Sequence, residues 1–357
     1  MRNNRIENIR KILHDQQVDG ILIKSKSNKR YVGALVGSGV KVLITTDACY
    51  QIMDGRYRNE AEENTTGFIN RVHDQGTSYL TEVAAILNPN ARLAIEANQV
   101  LVKEYLSMKE VGFDLVLLEN ELEQARKIKD EQEIALVQKA CEITDQIFME
   151  AISTVHVGMR EQELSALLQY LAIKNGASAM AFDTIVASGK RGSMPHGRPT
   201  DKEFAEHEFI TIDFGITYQG YQSDMTRTIC IGEPNPEVKK LYDIVLEAQC
   251  AGVDFIKAGV TGKEVDAFVR KIISDYGYGE YFTHGLGHGM GMGDGELPVL
   301  NQRSETVLEE GMIMSCEPGI YIPGVGGVRI EDDVLIRNGI GVPLNKTTKE
   351  LIQLEVK

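Results

Sequence analysis

The sequence predicts an α/β N-terminal domain followed by a larger α+β domain with internal pseudo-twofold symmetry. Three observations carry that reading. Helix and strand signals alternate through the first third of the chain. A faint internal repeat then runs at a fixed offset of 101 residues. Two hairpin-like segments, finally, each carry a pair of carboxylates. A chain of 357 residues suits two domains. The stretch ELEQARKIKDEQEI, charged and free of Pro and Gly, contains the boundary, so the domains are residues 1–126 and 127–357.

In the first domain an opening helix (MRNNRIENIRKILHDQQ) precedes the strand-like runs VDGILIK and GVKVLITT. The turn Asp54-Gly55-Arg56-Tyr57, a helical NEAEE, and the strands RLAIEA and DLVLLEN follow. The turn reads as structural, held by a local ion pair. This domain carries no catalytic constellation. His14 and His73 here, and His156 and His207 beyond it, read as surface or packing residues.

In the second domain Ile134, Val137, Cys141, Thr144 and Phe148 share one face of a long amphipathic helix. A second helix starts after Gly158 and stops at Gly176. VHVGMREQELSALLQYLAIKNG then resembles IKAGVTGKEVDAFVRKIISDYG: Gly158 matches Gly259, Glu163 matches Glu264, Ala166 matches Ala267 and Gly176 matches Gly277. One supersecondary unit used twice implies two related halves with a site between them.

Composition narrows the function. Hydrophobic content of 43% and charged content of 25% are those of a soluble globular protein. No apolar run is long enough for a membrane span, and the N-terminus reads as a polar-faced helix, not a signal peptide. A formal charge of -14 argues against nucleic acid as a partner. Five widely spaced cysteines without CxxC look like reduced thiols, which points to the cytoplasm.

FITIDFGITYQGYQSDMTRTICIG has a hairpin pattern. With the turn centred on Tyr218-Gln219, Asp213 and Asp224 face each other, at a Cβ separation of roughly 4.5–5.5 Å. In MIMSCEPGIYIPGVGGVRIEDDVLI the loop centres near Gly324, which makes Glu317 and Glu331 equidistant from it and puts Arg329 on the face of Glu331. Four carboxylates in apolar strands need neutralising cations, and one arginine is too few. Divalent metal is the economical answer. The segment HGLGHGMGMGDGELP adds His288 as a nitrogen ligand, four residues after His284, among glycines that leave room around the imidazoles. Oxygen-rich donors with one imidazole suit Mn²⁺ first, with Co²⁺ or Zn²⁺ possible. Carboxylates able to bridge two ions permit a two-metal mode in which a bridging water is activated as hydroxide.

These segments, together with FDTIVASGKRGSMPHGRP, SDMTRT and the closing KELIQL, resemble the pita-bread metallopeptidases: creatinase, prolidase, aminopeptidase P and methionine aminopeptidase. The likeness covers nearly the whole chain and is nearest to the Xaa-Pro dipeptidase and Xaa-Pro aminopeptidase branch. It implies a pita-bread catalytic domain after a creatinase-like N-terminal domain. It implies two divalent ions held by Asp213, Asp224, His288, Glu317 and Glu331, with Asp224 and Glu331 bridging. Glu317 would also shuttle the proton. His196 and His284 would line the substrate site, and Arg329 stands beside the last ligand, in a catalytic and substrate-binding position. Short proline-containing peptides are the implied substrates, and a homodimer the implied assembly. Creatinase itself is disfavoured, because its metal ligands are lost and these are kept.

One departure stands out. Relatives place a histidine seven residues after the ligand histidine, near the scissile carbonyl; here that position is Gly295. Losing one such donor costs about 10²–10³ in rate. The alternative reading is therefore a weakened or inactive binding homologue on the same fold. His284, His196 and Asp294 are the candidates to compensate, and restoring histidine at 295 is expected to raise turnover.

Overall fold

A computed structural model gives the architecture; it describes residues 2–64, 66–74, 76–88, 90–293 and 295–356. Asp294 therefore lies outside the described residues. The chain divides into two compact units, Met1–Arg126 and Lys127–Lys357. Among the described residues, no helix is long and apolar enough to cross a membrane.

The first unit is a six-stranded mixed sheet. Its strands are β1 (Gly20–Ile23), β2 (Lys41–Thr45), β3 (Cys49–Asp54), β4 (Ile69–His73), β5 (Arg92–Glu96) and β6 (Asp114–Leu118). Their order is β4-β3-β2-β1-β5-β6. The accompanying helices are α1 (Arg2–Asp15), α2 (Lys26–Tyr31), α3 (Arg58–Asn64), α4 (Tyr79–Leu87), α5 (Val102–Val111) and α6 (Glu121–Arg126). Sequence reading passes over β3, β4, α2, α4 and α5. The β3 run CYQIMD hides its strand behind Gln51, which is fully buried yet satisfied: its amide nitrogen donates to Asn70 Oδ1 (3.0 Å) and its carbonyl accepts from Leu35 N (2.7 Å). The predicted ion pair in the DGRY turn is present. Arg56 donates to both oxygens of Asp54 at 2.9 and 2.8 Å, and these bonds hold that carboxyl down to about 2.

The second unit carries helices α7 (Glu131–Ile152), α8 (Glu161–Lys174), α9 (Pro236–Phe255) and α10 (Gly262–Asp275). The five apolar-face positions read in α7 are all buried. Helices α8 and α10 begin and end 101 residues apart, as the repeat predicts. Each opens with a glutamate returning to a backbone N–H: Glu163 accepts from Arg160 N (2.8 Å) and Glu264 from Thr261 N (2.7 Å). The four repeat glycines all have positive φ, between +86° and +93°. In each half the turn before the helix bonds to a distant strand-like segment, Gly158 N to Phe204 O and Gly259 N to Leu308 O, both 2.9 Å. Each helix pair covers its own core. Phe148, Leu168, Ile212 and Phe214 belong to one; Val245, Val269, Met314 and Val334 belong to the other.

The strands of this unit are β7 (Ala179–Met180), β8 (Ile185–Ser188), β9 (Phe209–Phe214), β10 (Ile216–Tyr218), β11 (Tyr221–Gln222), β12 (Met225–Ile231), β13 (Ile313–Cys316), β14 (Gly319–Ile322), β15 (Gly326–Arg329), β16 (Asp332–Arg337), β17 (Ile340–Pro343) and β18 (Ile352–Leu354). In the first hairpin the expected register is corrected by one residue. The turn is Gln219-Gly220, with φ of +45° and +87°, the type I′ geometry that such two-residue loops favour. Tyr218 thus pairs with Tyr221, and Asp213 faces Thr226, not Asp224. Asp224 stands diagonally across, two residues from Thr226. Gly215 is obligatory here, since a Cβ would lie 1.8 Å from Ser223 O.

The second hairpin turns at Gly324 (φ +80°) as read. Its two ladders, β14–β15 and β13–β16, keep one register from Ile322↔Gly326 to Ile313↔Leu335. Glu317 and Glu331 fall opposite each other in the break between those ladders.

Candidate metal centre

Ligand atoms of Asp224, His288 and Glu331 all lie within 4.8 Å of one another. His288 Nε2 is 3.6 Å from Asp224 Oδ2 and 3.5 Å from Glu317 Oε1. Asp213 joins through Arg329, whose Nη2 donates to Asp213 Oδ2 at 2.5 Å. One oxygen each of Asp213, Asp224 and Glu331 is buried with no hydrogen-bond partner among the described residues. Burial pushes all three carboxyls up, and the neighbouring carboxylates add to that at Asp224 and Glu331. Buried, mutually repelling oxygens left without donors are suited to cations, and the donor set is that of a hard divalent ion.

The two hairpins hold each other's acids. Thr226 Oγ1 donates to Glu331 Oε2 (2.6 Å) and accepts from Arg329 Nε (3.0 Å). Asp333 Oδ2 accepts from Asp224 N (2.9 Å) and from the Cys141 thiol (3.2 Å). Ser315 Oγ accepts from His288 N and donates to Glu317 Oε1, both at 3.0 Å. Sequence reading missed Thr226, Ser315, Asp333 and Tyr321. The period of two supplied a signal for the first two: Thr226 lies two after Asp224, and Ser315 two before Glu317. Asp333, two after Glu331 and an acid in an apolar strand, carried the same signal; Tyr321 did not stand out.

A cavity of about 810 Å³ opens on this cluster, and His196, His284 and Arg329 all border it. Arg329 is 3% exposed. Beyond Asp213 and Thr226 it donates to Pro195 O (3.1 Å) and Tyr321 Oη (2.9 Å), so its guanidinium is committed to bracing. Tyr321 has its own proton left for His284 Nε2 (2.8 Å), while His284 Nδ1–H meets Gly285 O (2.7 Å). Both imidazole nitrogens of His284 are thereby engaged. Burial lowers its pKa, so the ring is held neutral.

The glycine-rich run is expected to leave open space, yet much of that space holds backbone. A Cβ at Gly287 would sit 2.1 Å from Ser315 O, and one at Gly289 2.4 Å from the Leu297 carbonyl carbon. These glycines let the His288 segment lie between β13 and the segment 297–300, with bridges Gly289↔Met314 and Gly287↔Leu300. At Gly295, φ is +76°. The following Glu296 is buried; it accepts from Met292 N (3.0 Å) and from Lys129 Nζ (3.2 Å), which fixes the chain just after Gly295.

Residues 135–338 match metallopeptidase family M24, and residues 5–128 match the creatinase/prolidase N-terminal domain. The chain belongs to metallopeptidase family M24. It is 40% identical to an Xaa-Pro dipeptidase of Pyrococcus horikoshii, over 98% of this chain and 99% of that one. Among solved structures, an Xaa-Pro dipeptidase from Bacillus anthracis superposes with a TM-score of 0.94 at 39% identity, covering 99% of this chain and 100% of that one. An X-Pro aminopeptidase from Thermotoga maritima does so at 0.86 and 36%, covering 95% and 98%. The family carries divalent-metal use and peptide substrates with it, and the pita-bread architecture with a creatinase-like first domain stands.

Proposed function

We propose that this M24 peptidase hydrolyses the bond before proline in dipeptides or short peptides. The observation that carries the proposal is the convergence of Asp213, Asp224, His288, Glu317 and Glu331, with three buried oxygens left without donors. These five would hold two divalent ions, manganese before cobalt or zinc. Bound there, the ions supply electrophilic activation of a water and of the scissile carbonyl.

The chain's own groups do the rest. Ser315 fixes Glu317 Oε1, leaving Oε2 to take the water's proton and pass it to the prolyl nitrogen. That nitrogen carries no hydrogen in the peptide, so the leaving group must receive one. Arg329 holds Asp213 and, through Thr226, Glu331. The neutral His284 walls the cavity, and exposed His196 is the imidazole with a ring free to meet substrate. Free cysteines support a cytoplasmic site, and the resemblance supports a homodimer.

The test is manganese-loaded protein assayed on Xaa-Pro dipeptides, Xaa-Pro-Xaa peptides and dipeptides lacking proline, with and without chelator. Chelator-sensitive cleavage confined to prolyl bonds is expected; indifference to chelator, or equal cleavage of non-prolyl dipeptides, overturns the proposal. The weakened, peptide-binding homologue is kept as a second reading because Gly295 offers no side-chain donor. Tight peptide binding without turnover would favour it.

A further inference from the structure

A dipeptide brings a free carboxylate into a cavity already lined by six acids, in a protein of formal charge -14. Some permanent cation must receive it. Among the described residues, two such cations border the cavity, Arg329 and Arg198. Arg329 is buried and spends its guanidinium on Asp213, Thr226, Pro195 and Tyr321. Arg198 differs in every respect. Its side chain is 79% exposed, with one ion pair, Nη2 to Asp183 Oδ2 at 2.8 Å.

The backbone beneath Arg198 is fixed. Pro195 O accepts from Arg329 (3.1 Å), and Arg198 O accepts from Arg191 Nη2 (2.6 Å). Between them Gly197 lies so close to Ala187 that a Cβ would come within 2.7 Å of it. The loop that carries His196 thus presents a guanidinium on a set base, with the side chain free to move. Arg198 and Asp183 also border an adjoining cavity of about 620 Å³, so the pair stands where the two spaces meet.

We propose that Arg198 is the specificity residue that receives the free carboxylate of the peptide, giving up Asp183 to do so. A guanidinium matches a carboxylate with two parallel hydrogen bonds, and the exposed Asp183 pair that it exchanges is weak. The proposal rests on the peptidase reading above and adds which end of the peptide is recognised, and by what.

The experiment compares Ala-Pro with Ala-Pro-amide in wild type, Arg198→Ala, Arg198→Lys and Asp183→Asn. Arg198→Ala should raise KM for the acid about tenfold, or about 1.4 kcal/mol. Its kcat should stay nearly constant, and the KM for the amide should not move. Arg198→Lys should recover part of the loss, and Asp183→Asn should lower KM for the acid. An equal change for acid and amide, or none for either, overturns the assignment. If wild type cleaves neither peptide, the peptidase reading fails. Calorimetry with the same two ligands then decides Arg198 separately: acid preferred over amide only while Arg198 is present upholds it, and any other result removes it.

Discussion

The two carboxylate hairpins of the second unit make the same kind of site by different geometry. In the Phe209–Ile231 hairpin a tight Gln219-Gly220 turn sets Asp213 opposite Thr226, leaving Asp224 on the diagonal. In the Ile313–Arg337 hairpin Glu317 and Glu331 face each other where the ladder breaks between two sheets. A direct pair of acids interrupts its own ladder, while a diagonal pair leaves the opposed position to a threonine. That threonine, Thr226, is the hydrogen-bond donor to Glu331 of the other hairpin. Arg329 and Asp333 of the second hairpin in turn hold Asp213 and the backbone of Asp224 in the first. Each hairpin thus supplies hydrogen-bond partners to the acids of the other.

The strongest way to break the comparison is to remove one acid from each hairpin. Asp224→Asn is expected to lose metal, read by elemental analysis, and to lower turnover by about a thousandfold or more. Glu317→Gln should lower turnover by about 10²–10⁴ even at saturating manganese, since it deletes the proton carrier at nearly constant shape. Unchanged stoichiometry in the first variant would remove Asp224 from the metal site. Near-normal rates in the second would leave proton transfer to another group.

Thr226→Val tests the cross-brace alone. Removal of a group that orients a ligand commonly costs 10–100-fold in metal affinity, and about that loss is expected, with Thr226→Ser restoring most of it. Equal affinity in Thr226→Val would show that the hairpins do not depend on each other.

A milder effect is expected from pH in chelator-stripped protein. Burial raises the carboxyls of Asp213, Asp224 and Glu331, and raises Asp333 to about 7. A carboxyl raised on folding binds its proton more tightly in the folded state. Its contribution is fully present below the unfolded value near 4 and is lost as pH rises through the folded one. Thermal midpoints of the metal-free protein should therefore fall between about pH 4 and 7. A rise over that range would contradict the burial seen at these four acids.

The smallest effect is expected at Gly295. Sequence reading predicts that a histidine there raises turnover. With φ at +76°, a side chain is strained, and the loop is pinned by Glu296 and Lys129. Gly295→His should thus change kcat by no more than a fewfold, far short of the 10²–10³ that one well-aimed donor supplies. A large gain would mean that the loop re-forms readily.

What could be read without coordinates follows from local physics. Period-two alternation and the Gly324 turn placed Glu317 opposite Glu331. A 101-residue repeat with glycines at both ends placed α8 and α10, because helix stops and positive φ are written in single residues. The four carboxylates could be singled out as candidate metal donors because acids in apolar strands are too costly to be incidental. The register of the first hairpin was not legible, since a one-residue shift of the turn leaves the same alternation in place. Nor were β3 and β4, whose polar residues find their partners only across the sheet. Tertiary structure alone decided that Arg329 is committed to Asp213, Thr226, Pro195 and Tyr321, that His284 is tied on both nitrogens, and that Arg198 stands exposed with a single ion pair. A hydrogen bond between residues a hundred positions apart has no period, and only packing brings its donor to its acceptor.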